Sequence, residues 1–271
     1  MSEENLLVRV LGSCETMANA SVICTDKTGI ITQNKMTVIA GSFGVHARFV
    51  RRLEENGERL GNEAHNAMDS DVDLAKLNTV LPQAVRDLFN AAIAINSTAS
   101  EDVDSESGAP VFIGNKTKTA LLGLAKELGW PNCKDTHDSA NIVQMIPFSN
   151  GRKCMGCVVR LLDGNHRLYI QGASEILTRK CVRHVAVHRD AANDAQSGNQ
   201  VETVPIGEIE EKIISRTITS YESQALHTIT LCYRDFPDWH PKGARLDEAS
   251  KHTPYLSFLH LTRWDRSISM T

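Results

Sequence analysis

Apolar side chains recur at Leu121, Leu124, Ala125 and Leu128, the spacing of one helix face, and Gly129 then Pro131 follow as stop signals, so a helix is predicted over residues 117–128. A second helix is predicted from Pro205, with Ile206, Ile209, Ile213 and Tyr221 near helical spacing. Residues 155–159 and 168–170 read instead as strands of a hairpin around Asp163-Gly164-Asn165, a composition suited to a tight turn. From Val38 to Phe236 such strand-like and helix-like pieces alternate, which predicts an α+β domain. Its expected loops are the acidic stretch 101–108, the polar stretch 188–200 and the weakly patterned region 54–73. Past Phe236, Pro237, Trp239, Pro241 and Gly243 break regularity, and residues 250–271 show no clear amphipathic period. Residues 241–271 are therefore expected to form a divergent tail of low order. There is no internal repeat.

Composition narrows the classes. Hydrophobic residues make up 41% of the 271, enough for a real core. The richest apolar run, residues 88–95, is interrupted by Asn90, and nothing approaches the roughly 18 to 20 residues of a membrane helix, so this chain carries no predicted span. A net charge of −4 provides no basic footprint, which argues against nucleic acid as a partner. Seven cysteines, an odd number with no signal peptide ahead of them, read as reduced cytosolic thiols. Cys154-x-x-Cys157 falls on a predicted strand, where residues three apart face opposite ways, so two ordinary thiols are expected rather than a metal or redox pair.

The candidate chemistry lies in CTDKTGIITQNKMT, residues 24–37, directly after the apolar pair Val22-Ile23. A carboxylate at the end of a buried strand, here Asp26, is placed to attack phosphorus and form an aspartyl phosphate. Such a step calls for Mg2+, donors for developing charge and a bare backbone, and Lys27, Thr28 and Gly29 are residues of those types. Soluble phosphatases of the haloacid-dehalogenase kind usually place a second aspartate two positions on, as the acid and base that destroys the intermediate. Thr28 stands there instead, so a persistent phosphoenzyme is expected. Four residues alone are a weak signal, and a plain surface turn after a strand is the bland reading.

The longer segment SCETMANASVICTDKTGIITQNKMTV resembles the phosphorylation site of P-type ATPases, and closely that of calcium pumps of the plasma-membrane type with their fungal vacuolar relatives. AINSTAS from Ala94, FIGNKTKTALLGLA from Phe112, IPFSNGRKCM from Ile146, YIQGASEIL from Tyr169 and ALHTITLCYRDF from Ala225 follow in the family's order. The resemblance implies a partial phosphorylation (P) domain of haloacid-dehalogenase type over residues 1–37. It implies a nucleotide-binding (N) domain over 38–240, an antiparallel sheet flanked by helices. It implies Asp26 as phosphoryl acceptor with Lys27 and Thr28 beside it, and Asp26 and Thr28 as Mg2+ contacts. It also implies Phe148 as the ring that stacks on adenine, Lys153 as a phosphate-side contact, Gly172 and Ala173 as the pocket floor, and Thr117 as a further ATP contact. A stacking ring and a nearby lysine suit a purine triphosphate on chemical grounds too.

Four positions depart from the family pattern. Ile30 replaces a threonine, Gln171 replaces the lysine of KGA, Lys118 replaces a glutamate, and His227 replaces an arginine. A hydrogen bond to a charged group contributes on the order of 1.5 to 3 kcal/mol, so losing two predicts ATP binding weaker by about a hundredfold. The chain also lacks the rest of a pump: the second half of the phosphorylation domain with its GDGxNDxP motif, an actuator domain and membrane helices. From about Leu246 the tail, ending LSFLHLTRWDRSISMT, is expected to fall outside the family alignment, as in a truncated or frame-disrupted product.

The function implied is that of a catalytic fragment of a calcium-transporting ATPase, using ATP and Mg2+ and phosphorylating Asp26 once the remaining pump domains are supplied. Calcium would be the ion transported by the whole pump and not bound by this chain. The isolated chain is expected not to be catalytically competent. Its place would be the cytosolic face of a vacuolar or plasma membrane, or soluble cytoplasm if the chain is complete as given. A non-catalytic ATP-binding module and a decayed copy without activity stand as alternatives, with a soluble phosphatase the weakest.

Overall fold

The helix predicted by the Leu121–Leu128 spacing is present, and the details of its ends follow from the sequence. In the computed structural model, α5 spans Lys116–Glu127, with Asn115 as its N-cap: the side-chain oxygen accepts from Thr117 N–H. Gly129 adopts a left-handed conformation (φ 68°), and Trp130 N–H reaches back to the Ala125 carbonyl, which terminates the helix. The structure describes residues 12–22, 24, 35–45, 47–56, 71–103, 110–187, 201–239, 246–247, 255–256 and 266–270. It divides into two units, Met1–Lys35 and Met36–Thr271. In the first, α1 (Gly12–Ala18) is the described helix.

The second unit is built on one large sheet. Its strands are β1 (Ala40–Phe43), β2 (Ala47–Val50), β3 (Val72–Asp73), β6 (Asn141–Ser149), β7 (Cys154–Arg160), β8 (His166–Ala173), β9 (Arg183–Val185), β10 (Thr203–Pro205), β11 (Ile229–Phe236) and β14 (Arg266–Met270). The main order is β3-β2-β1-β14-β11-β8-β7-β6, antiparallel except where β3 joins β2, while β9 links β10 to β14. Two short antiparallel pairs stand apart, β4 (Ser100–Val103) with β5 (Pro110–Ile113) and β12 (Leu246–Asp247) with β13 (Tyr255–Leu256). Further helices are α2 (Leu53–Asn56), α3 (Leu77–Val80), α4 (Gln83–Ile95), α6 (Cys133–Ser139), α7 (Ser174–Leu177) and α8 (Glu208–Ser223). The α+β class expected from the alternating pattern is what is found.

Side-chain alternation along the central strands separates two cores. Cys157, Val159, Tyr169, Leu231 and Tyr233 join the apolar faces of α3, α4 and α5 in the larger one, which also holds Phe43, Phe49 and Phe89. Cys154, Val158, Leu168, Ile170 and Cys232 face the other way, with Leu177 of α7 and Cys181. Cys154 and Cys157 thus lie on opposite sides of β7, as strand parity requires. The predicted hairpin is β7–β8, and Gly164 (φ 87°) turns it while Asp163 accepts from Asn165 N–H at 2.9 Å.

Several expectations are corrected. The helix read from Pro205 begins at Glu208; Pro205 ends β10, and the Glu210 carboxylate accepts from Gly207 N–H at 2.9 Å to set the true start. The acidic loop 101–108 opens as strand, because Glu101, Asp102 and Val103 pair with β5. Asn90, read as an interruption of an apolar run, is buried within α4 and donates to the Pro131 carbonyl and to Thr136 Oγ1, each at 3.3 Å. The tail departs from low order over Arg266–Met270, since β14 fills the space between β1 and β11 with an antiparallel ladder to each. Five residues, with Ser267 and Ser269 alternating with Ile268 and Met270, are too few for that period to emerge from sequence, and backbone pairing decides the strand. The stretch 188–200 lies outside the described residues, as does most of 54–73.

Candidate functional site

The site is assembled at one end of β6, β7 and β8, around the turn at residues 150–153. Ser149 pairs with Cys154 across this turn, and Lys153 N–H donates to the Ser149 carbonyl at 2.7 Å. Lys153 closes it in a left-handed conformation (φ 53°), costly for a residue with a Cβ and sustained by the ladder on either side. Its carbonyl in turn accepts from Ala173 N–H at 3.0 Å, so the turn is bonded directly to the end of β8.

Gly172 makes that approach possible. A Cβ at this position would lie 2.5 Å from the Lys153 carbonyl oxygen and 2.5 Å from Cys154 Cβ, well inside contact distance. Only a bare backbone lets β8 come this close to the turn. Lys153, Gly172 and Ala173, three residues singled out in the sequence, are therefore one connected piece of structure.

Phe148 stands on the other flank of the same turn. The β6–β7 register slips between Ile146 and Ser149, a bulge that re-aims the intervening residues, and the Phe148 ring is 57% exposed. Arg152 donates from Nη2 to the Pro147 carbonyl at 2.9 Å, tying the turn back to the residue before the ring. Sequence reasoning passed over this role of Arg152, although the basic pair Arg152-Lys153 was visible within the quoted motif. An exposed aromatic face held on a rigid strand end, with a lysine beside it, can stack on a flat heterocycle and meet its anionic substituent.

Gln171 is buried at 6% exposure, opposite Met155 on β7 and Leu231 on β11. A neutral carboxamide thus occupies a position where an ammonium would have to lose its water. His227 is exposed in the segment entering β11, whose first residue, Ile229, pairs with Ala173. Thr117 and Lys118 are on the first turn of α5, and their described contacts lead away from the β6–β8 cluster. The Thr117 hydroxyl is 4.0 Å from Met36 Sδ, and Lys118 Nζ donates to Thr98 Oγ1 at 2.9 Å. Burial lowers the Lys118 ammonium below its ordinary pKa.

Asp26, Lys27, Thr28 and Ile30 lie outside the described residues. Among the described residues, no group of three or more His, Cys, Asp or Glu is placed to hold a metal ion. No helix among them is long and apolar enough to cross a membrane.

Residues 84–261 match the family model described as P-type ATPase, cytoplasmic domain N, which corrects the expectation that the family pattern stops at about Leu246. The chain is 51% identical over 259 residues to calcium-transporting ATPase 2 of Cryptococcus neoformans var. grubii, covering 94% of this chain and 18% of that protein. It is 32% identical over 262 residues to calcium-transporting ATPase 2 of Schizosaccharomyces pombe, covering 94% of this chain and 19% of that one. With human plasma membrane calcium-transporting ATPase 4 the identity is 33% over 248 residues, 89% of this chain and 17% of the relative. The chain therefore spans about a fifth of the length of the curated relatives it matches.

Proposed function

The chain belongs to the P-type ATPase family, matching its cytoplasmic domain N over most of its length, and from that premise we propose that the β6–β8 cluster binds ATP for transfer of its γ-phosphate to Asp26 in a complete calcium pump. The observation that carries the proposal is the exposed ring of Phe148, set on the strand end beside Lys153, whose turn packs against Gly172. The ring stacks on adenine, removing apolar surface from water at the one aromatic side chain of this cluster left open. The Lys153 ammonium serves as a point charge for the phosphates, and the bare backbone at Gly172 lets β8 pack on the turn that carries it.

Asp26 acts as the nucleophile. A carboxylate oxygen forms a bond to the γ-phosphorus, the bond to the bridging oxygen breaks, and ADP leaves with those electrons. Asp26 and Thr28 supply hard oxygen donors of the kind Mg2+ takes, and the ion would neutralise phosphate charge when bound. Thr28 carries no carboxylate to activate water, so the aspartyl phosphate outlasts its formation and can serve as a state of a transport cycle. Calcium transport, the cytosolic face of a vacuolar or plasma membrane, and the partner pump domains follow from the same reading.

The test is ATP titration of the isotope-labelled chain by NMR. Shifts are expected at Phe148, Lys153 and Gly172, and they should vanish in Phe148→Ala. Unchanged shifts in that variant, or shifts confined to other elements, would overturn the assignment.

A further inference from the structure

Cys181 and Cys232 meet in the smaller core with their sulfur atoms 3.5 Å apart, although 51 residues separate them in sequence. Cys232 lies in the middle of β11, opposite Ile170 of β8. Cys181 follows the single 3-10 turn Thr178–Lys180 after α7, and its thiol donates to the Leu177 carbonyl at 3.3 Å. Each sulfur needs to move by less than an ångström or so to reach the roughly 2 Å of a disulfide. No motif in the sequence announces this pair; the fold alone creates it.

We propose that Cys181 and Cys232 form an oxidisable dithiol, a site of reversible disulfide formation by peroxide that staples the segment after α7 to β11. Cys181 is 8% exposed and Cys232 2%, so Cys181 is the sulfur a small oxidant meets first. Burial, the largest cause, holds the Cys232 thiol well above its ordinary pKa, which keeps it protonated at rest and leaves the first attack on the oxidant to Cys181. In the first step the Cys181 thiolate attacks hydrogen peroxide: an S–O bond forms, the O–O bond breaks, and the departing hydroxide takes the proton released from the thiol, giving a sulfenic acid and water. The Cys232 sulfur then attacks Cys181 sulfur: the S–S bond forms, the S–O bond breaks, and hydroxide leaves with the Cys232 proton as water. Two thiols and one peroxide give one disulfide and two waters.

The bond closes a loop that carries β9, β10 and α8 and ties the chain just beyond Ala173 to the central ladder. Cys154, the third sulfur of this core, is on β7 opposite Gly172 and its thiol is likewise pushed up by burial. It is the internal control for selectivity.

The experiment treats the folded 271-residue chain with hydrogen peroxide, alkylates remaining thiols, and maps peptides by mass spectrometry without reduction. The expected result is one linked peptide pair containing Cys181 and Cys232, two hydrogens lighter than its parts, reversed by dithiothreitol. The thermal midpoint should rise by about 5 °C, because the unfolded chain is cross-linked over a long loop. That rise should be absent in Cys181→Ser, or in Cys181→Ala if the serine variant does not fold. Alkylation of both cysteines after native treatment overturns the proposal, as does linkage of Cys232 to Cys154 or to a second chain.

Discussion

At one end of the sheet Phe49 is fully buried, tilted against Phe43 at 5.9 Å, and Phe89 packs edge-on to both Phe43 and Trp130 at 5.2 Å. At the other, Phe148 is more than half exposed with no such ring contact described for it. Each end also has a glycine that cannot accept a Cβ. At Gly41 the space is taken by the Phe49 ring, whereas at Gly172 it is taken by the backbone of the Lys153 turn. The same two residue types thus close a core at one end and keep a surface open at the other. Buried aromatics with satisfied packing report stability, and a rigidly mounted ring left in water reports recognition.

The comparison breaks most sharply at Phe89. Phe89→Ala should cost about 3–5 kcal/mol, read as a lowered denaturant midpoint, because it leaves a cavity between Phe43 and Trp130. Phe148→Ala should change stability by no more than about 0.5 kcal/mol while removing the ATP response, and a comparable loss of stability in both variants would erase the distinction. Gly172→Ala should cost about 1–3 kcal/mol and also weaken ATP binding, since the new methyl must push the Lys153 carbonyl aside. By contrast, Gln171→Lys should tighten ATP binding about tenfold in calorimetric titration, by restoring a cation next to Gly172. Unchanged affinity would mean that this buried position does not face the phosphates.

The smallest effect lies at Asp73, on the edge strand β3. Leu53 N–H and Ala75 N–H each donate to its carboxylate at 2.9 Å and hold it below the usual carboxylate range, the Leu53 bond contributing most. A depressed folded-state pKa means stability that is present above about pH 4 and lost as pH falls through the folded value. Asp73→Asn should therefore lower stability slightly at neutral pH, with the difference from the parent chain narrowing as pH falls below about 4, as measured by urea denaturation at several pH values.

Much of the domain was legible because its signals are local. The C-terminal end of α5 was marked by Gly129, and the β7–β8 hairpin by Asp163-Gly164-Asn165. Lys153, Gly172, Ala173 and Phe148 were found through linear motifs, and the fold gathers them at one strand end. Thr117 and Lys118 came from an equally linear motif, yet their described contacts go to Met36 and Thr98. The motif identifies the segment but not its reach.

What the sequence by itself determined was the α+β class, the family and the positions of helices and turns with strong caps, because those depend on residues within a few places of one another. The tertiary structure alone decided that Arg266–Met270 enters the sheet, that Asn90 is an internal hydrogen-bond donor, that Phe148 stays open, and that Cys181 meets Cys232. Those outcomes depend on strand order and on contacts between residues far apart in the chain, where backbone pairing and burial act together and no local pattern records the result.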